Sequence, residues 1–97
     1  MRDGQRRLRA EAAPIRALTF TSAHLTIEVE VARGALLGQI IPAQPGAITV
    51  QPHDGAEEEY PADEIGCFLI RPIPAGPFRL HCRAAVGPDA QTGWITL

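Results

Sequence analysis

The amino-acid sequence predicts an antiparallel β-sandwich of seven to eight short strands, and three observations predict it. Apolar and polar residues alternate over most of the chain after Pro14. Turn residues punctuate that alternation at intervals of roughly 8–12 residues, and no helical periodicity follows residue 14. Period-two alternation gives a strand one dry and one wet face, the habit of antiparallel sheets. Short strands at such intervals mark a sandwich rather than strand–helix–strand units.

The elements follow in order. "LTF" at 18–20 starts the strands, and "HLTIEVEV" sets Leu25, Ile27, Val29 and Val31 on one face against Thr26, Glu28 and Glu30 on the other. Arg33-Gly34 turns the chain into "ALLGQII", "PAQPG" at 42–46 is a loop, and "AITVQ" points Ile48 and Val50 inward. His53-Asp54-Gly55 is a turn, and "AEEEYPA" fits only a short or edge strand, because three consecutive acids and Pro61 resist a sheet interior. "CFLIR", the turn "PIPAG" and "PFRLHCR" then predict a hairpin pairing Phe68 with Leu80 and Ile70 with Phe78. Gly66 eases the backbone into that hairpin, and Gly76 supplies a positive φ in its turn. After the loop "AAVGPDAQ", "TGWITL" closes the sheet.

A chain of 97 residues makes one domain, drawn here as a sandwich over 17–97 with a short basic arm at 1–16, partly helical or flexible. The formal charge of −2 conceals an asymmetry: residues 1–16 hold five arginines against two acids, and the remainder holds four arginines against nine acids. Such an arm suits nucleic acid or an acidic partner, or packs as a solvated tail on its own acidic body. The body lacks the basic face with stacking groups that nucleic acid requires. No apolar run approaches the ~20 residues of a membrane helix. The N-terminus lacks a signal peptide's apolar centre, so the expected location is the cytoplasm.

Residue types that carry catalysis are sparse. Ser22 lacks a nucleophile-elbow motif. Cys82 alternates onto the apolar face as a core thiol, while Cys67 lies on the opposite face, which argues against a bond between them. His24, His53 and His81 have no ligand spacing, and the acids at 57–59 lack the alternation of a calcium loop. No phosphate-cradling glycine loop is present, so neither an enzyme nor a cofactor is expected.

One surface stands out. In the hairpin register Leu69, Arg71, Arg79, His81 and Arg83 share an outer face with Cys67, and Trp94 points outward beside them if Ile95 and Leu97 point in. Tryptophan with arginine and leucine around it has the make-up of a protein-binding hot spot. The competing readings are that Trp94 is the inward residue, or that residues 1–16 fold over the face.

The spacing Asp63-x-x-Gly66-x-Phe68-x-Ile70-x-x-Ile73-x-x-Gly76-x-Phe78-x-Leu80-x-Cys82 resembles that of carboxypeptidase regulatory-like domains, which are Ig-like, prealbumin-like and carbohydrate-binding-like sandwiches. Leu37-Gly38-Gln39-Ile40 and Ala47-Ile48-Thr49-Val50 resemble the first two strands of that family, so the likeness spans roughly 36–97. It implies a carbohydrate- or ligand-binding role. The chain is also similar to small proteins of high-GC Gram-positive bacteria associated with genes for alternative sigma factors and CHAT peptidases. That likeness implies a regulatory accessory whose partner is the product of such a neighbouring gene. The expected function is therefore a non-enzymatic protein–protein interaction module acting through a sheet face or edge, with a weak homodimer through an edge strand as a further expectation. A carbohydrate- or small-ligand-binding domain of the same fold is the alternative.

Overall fold

The computed structural model describes residues 16–97, so the predicted arm, apart from Arg16, lies outside the described residues. Arg16 itself opens the first strand. Eight strands form: β1 (Arg16–Thr21), β2 (Thr26–Ala32), β3 (Ala35–Ile41), β4 (Gly46–Pro52), β5 (Glu58–Ala62), β6 (Cys67–Ile70), β7 (Phe78–Ala84) and β8 (Ala90–Gln91). They make two four-stranded antiparallel sheets, ordered β1-β2-β3-β6 and β5-β4-β7-β8. No helix occurs among the described residues, and hence none long and apolar enough to cross a membrane.

The inward sets are those the alternation predicts. Leu25, Ile27, Val29, Leu36, Ile40, Phe68 and Ile70 from one sheet meet Ile48, Val50, Phe78, Leu80 and Cys82 from the other, all buried. Residues directly opposite one another share a face, so the β4–β7 pairs Ile48↔Cys82 and Val50↔Leu80 bring apolar side chains together. Gly38 stands opposite Phe68 on the inner face of the first sheet. A Cβ at Gly38 would fall 2.0 Å from the Phe68 ring, so the ring occupies the space that glycine leaves.

The predicted hairpin does not form. β6 pairs with β3, through Leu36↔Ile70 and Gly38↔Phe68, and β7 pairs with β4 in the opposite sheet. The segment between them crosses from one sheet to the other. Alternation fixes which side chains face the core, and the same side chains face it in either arrangement. It does not choose a strand's neighbour.

The two glycines of that stretch also part company. Gly66 takes φ +88° in the corner between β5 and β6, and its carbonyl accepts from Ile40 N–H at 2.9 Å. Asp63 ties this corner: its carboxylate Oδ1 accepts from Ile65 N–H at 3.1 Å and from Cys67 N–H at 2.8 Å, and its own N–H donates to the Cys67 carbonyl at 2.9 Å. Gly76 takes no positive φ and a Cβ there would meet nothing within 4 Å, contrary to the expectation for it.

The end of the chain is shorter in strand than predicted. β8 has two residues, pairing His81↔Gln91 and Cys82↔Ala90. Leu80 continues that register with Thr92, exchanging bonds with its backbone N–H and with its hydroxyl. Phe78 and Ile95 then exchange both backbone bonds. Gly93 and Trp94 therefore stand opposite the single residue Arg79, which makes a β-bulge. Thr92 and Ile95 are both buried because of the extra residue, and Trp94 is turned outward with 51% of its surface exposed. Leu97, expected inward, is exposed instead.

Candidate functional site: the outer face of the second sheet

The six residues of the predicted surface fall on two faces. Arg79, His81 and Arg83 project from the outer side of β7, and the bulge sets Trp94 beside them. Leu69 belongs to β6 and lies on the outer side of the other sheet, and Arg71 follows it in the crossover. The structure thus gathers Arg79, His81, Arg83 and Trp94, and separates Leu69 and Arg71 from them, because the shared face rested on a hairpin that does not form.

Around the four, β4, β5 and β8 supply partners that sequence reasoning did not select. Gln51 is paired with Arg79 in the β4–β7 register, and its Oε1 accepts from Arg79 Nε at 2.7 Å and from Gln91 Nε2 at 2.9 Å. The Arg79 guanidinium lies over the Trp94 ring, with its carbon 4.8 Å from the centroid. The His53 ring meets Trp94 edge-on, centroids 5.5 Å apart, and His53 is itself anchored by its N–H donating to the Pro77 carbonyl at 2.9 Å. Gln51 thus holds Arg79, and Arg79 and His53 hold Trp94. The outward parity of Gln51 was visible beside inward Ile48 and Val50. Its alignment with Arg79 was not, because the neighbour of β7 had been misplaced.

The other basic side chains of β7 on this face have carboxylate neighbours. Arg83 Nη2 lies 3.5 Å from Glu59 Oε2, and His81 Nε2 lies 3.3 Å from Asp89 Oδ2. Arg79 differs: among the described residues no carboxylate pairs with it, and its side chain bonds only to a neutral amide. The face thus carries one stacked tryptophan and one guanidinium whose Nη groups have no partner among the described residues.

A trough of about 590 Å³ lies elsewhere, between β5 and the 71–77 crossover, walled by Pro52, Tyr60, Pro72, Ile73, Pro74 and Pro77. Tyr60 donates its hydroxyl to Glu58 Oε1 at 2.9 Å, and its burial first, then that carboxylate, push the phenol above its ordinary range. Trp94 is not among the walls of the trough, so Trp94 and Tyr60 do not share it.

Compared with protein-family models, curated proteins and solved structures, the chain matches none. Its chemistry has to be read from its own residues.

Both cysteines are free. Burial first, and the charge of Asp89 second, push the Cys82 thiol above its ordinary value. A thiol raised in the folded state costs nothing while the unfolded chain also keeps its proton. The penalty begins once the unfolded thiol ionises, near its ordinary value of 9.0, and grows as pH rises toward the folded value. The urea midpoint is therefore expected to fall above that point more steeply for the wild type than for Cys82→Ala. Parallel alkaline slopes for the two would show that the thiol is not buried as described.

Proposed function

We propose that this chain is a non-enzymatic protein–protein interaction module, and that it engages its partner through the outer face of β7 around Trp94 and Arg79. The observation that carries this reading is the exposed, pre-arranged stack of Trp94 between Arg79 and His53. Tryptophan and arginine dominate interface hot spots, each often contributing about 2 kcal/mol or more when truncated. A side chain already held in place loses less rotamer freedom on binding. The partner that fits presents an apolar surface to the indole and a carboxylate to the open Nη edge of Arg79, where a bidentate pair forms. A small regulatory accessory in the cytoplasm, acting on the product of a neighbouring regulatory or peptidase gene, is the setting that the sequence resemblance favours.

The test is to tag the chain in its own host, identify what co-purifies, and measure the purified pair. Trp94→Ala is expected to weaken binding by roughly 30-fold or more, and Arg79→Gln by roughly tenfold, with thermal stability little changed. A bound protein held equally well by both variants would place the interface elsewhere. No bound protein at native expression would remove the reading.

The alternative, a carbohydrate- or small-ligand-binding domain, is favoured by the trough beside Tyr60 and by the resemblance to carboxypeptidase regulatory-like domains. Few polar groups converge there, since the Tyr60 hydroxyl is already taken by Glu58. A glycan screen with Tyr60→Ala as control tests it.

A further inference from the structure

Among the described residues, the edge of β6 that faces away from β3 is a second surface with unspent bonding capacity. The bond from Ile40 N–H to the Gly66 carbonyl fixes the phase of the β3–β6 ladder. Hydrogen bonding alternates in an antiparallel pair, so Phe68 and Ile70 turn their backbone groups toward β3, and Cys67 and Leu69 turn theirs away. Asp63 takes both groups of Cys67. That leaves the N–H and C=O of Leu69 facing outward without a partner among the described residues.

The side chains agree with the backbone. Leu69 is 40% exposed and Leu37, its cross-strand neighbour on the outer face, is 45% exposed. A shallow cavity of about 430 Å³ runs along this edge, walled by Leu37, Pro61, Asp63, Cys67, Phe68 and Leu69. The other edge strands are blunted: β5 carries Glu58, Glu59 and Pro61, β8 has two residues, and β1 opens on Arg16. Over Cys67–Ile70, β6 has neither charge nor proline, the devices that keep an edge from pairing.

We infer that β6 pairs antiparallel with β6 of a second copy, Leu69 opposite Leu69 across a two-fold axis, to form a reversible homodimer. This register makes Leu69 a hydrogen-bonded pair with itself, the two residues exchanging both bonds. It also keeps like faces together, so Leu37 and Leu69 of one copy continue into Leu69 and Leu37 of the other as one apolar row across an eight-stranded sheet. A second copy suits this edge because an isologous contact needs a self-complementary patch, and this one is self-complementary in both backbone and side chains. The contact is smaller than the ~800 Å² per partner of a standard interface, so the dimer is weak, with a dissociation constant on the order of 0.1 mM.

The experiment is sedimentation velocity on the full chain from about 5 μM to about 1 mM, a range that brackets that constant, with amide exchange followed at Leu69. Dimer is expected at the upper end, with Leu69 exchange slowed only there. Leu69→Lys places like charges directly opposite and is expected to weaken the dimer at least about tenfold at unchanged melting temperature. Leu37→Gln shortens the apolar row and is expected to weaken it less, while Trp94→Ala leaves it intact. Monomer at every concentration would overturn the inference, whether the edge is bare or covered by residues 1–15. Self-association that survives Leu69→Lys would overturn it as well. Should Leu69→Lys fail to fold, Leu37→Gln and the Leu69 amide decide in its place.

Discussion

Phe78→Ala is expected to lower folding stability by about 4 kcal/mol, the upper part of the range for emptying a buried aromatic site. The ring is 1% exposed and belongs to the cluster where the two sheets meet. The same residue starts β7, pairs with Pro52 of β4 on one side and exchanges both backbone bonds with Ile95 on the other. Its backbone therefore joins three chain segments while its ring is buried in the core between the sheets. A domain of this size holds roughly 5–10 kcal/mol in all, so the variant sits near its unfolding midpoint in mild urea. Phe78→Leu, which keeps most of the volume, is expected to lose about 1.5 kcal/mol or less. Urea unfolding of the three proteins at a common m-value is the measurement. A loss under about 1 kcal/mol for Phe78→Ala would contradict the placement of the ring in the core.

Gly66→Ala is expected to cost about 3 kcal/mol, whereas Gly76→Ala is expected to change stability by no more than about 0.5 kcal/mol. At Gly66 two penalties combine. The φ of +88° disfavours any L side chain, and a Cβ would sit 2.6 Å from the Ile40 carbonyl oxygen, a backbone atom that cannot move without disturbing β3. At Gly76 neither applies. Thermal unfolding should show a drop of roughly 15 °C for the first variant and little for the second. Equal shifts for both would mean that the corner between β5 and β6 is not built as described.

These two glycines show how far the sequence could be read. The motif Asp63-x-x-Gly66 was legible as a place where backbone bends, because Gly66 and a nearby acid before a strand are local signals. Gly76 looked the same locally and is not under the same constraint. Strand identities and inward faces were legible for a similar reason: Ile27, Val29, Ile48, Val50, Leu80 and Cys82 report their burial through alternation alone. Partnership was not. Nothing in "CFLIR" or "PFRLHCR" distinguishes a strand that pairs with its successor from one that crosses to another sheet. The candidate site inherited that blindness, so Leu69 and Arg71 were grouped with residues on the far side of the molecule. Gln51 was passed over, although it holds the guanidinium of Arg79 in place.

The bulge opposite Arg79 has a further consequence, which concerns counting rather than chemistry. Without the bulge, and with the same residues, the register that pairs His81 with Gln91 would continue unbroken, set Trp94 opposite Phe78, facing inward, and turn Ile95 to solvent. The choice between a tryptophan on the surface and a tryptophan in the core thus lies in whether the bulge forms, not in the hydrophobicity of any residue. A one-residue shift of pairing there would exchange the faces of Trp94 and Ile95 with no change in the sequence, whereas deleting Gly93 would leave Trp94 opposite Arg79 and still outward. Composition would register nothing of such a shift, and the exposed indole would have become packing.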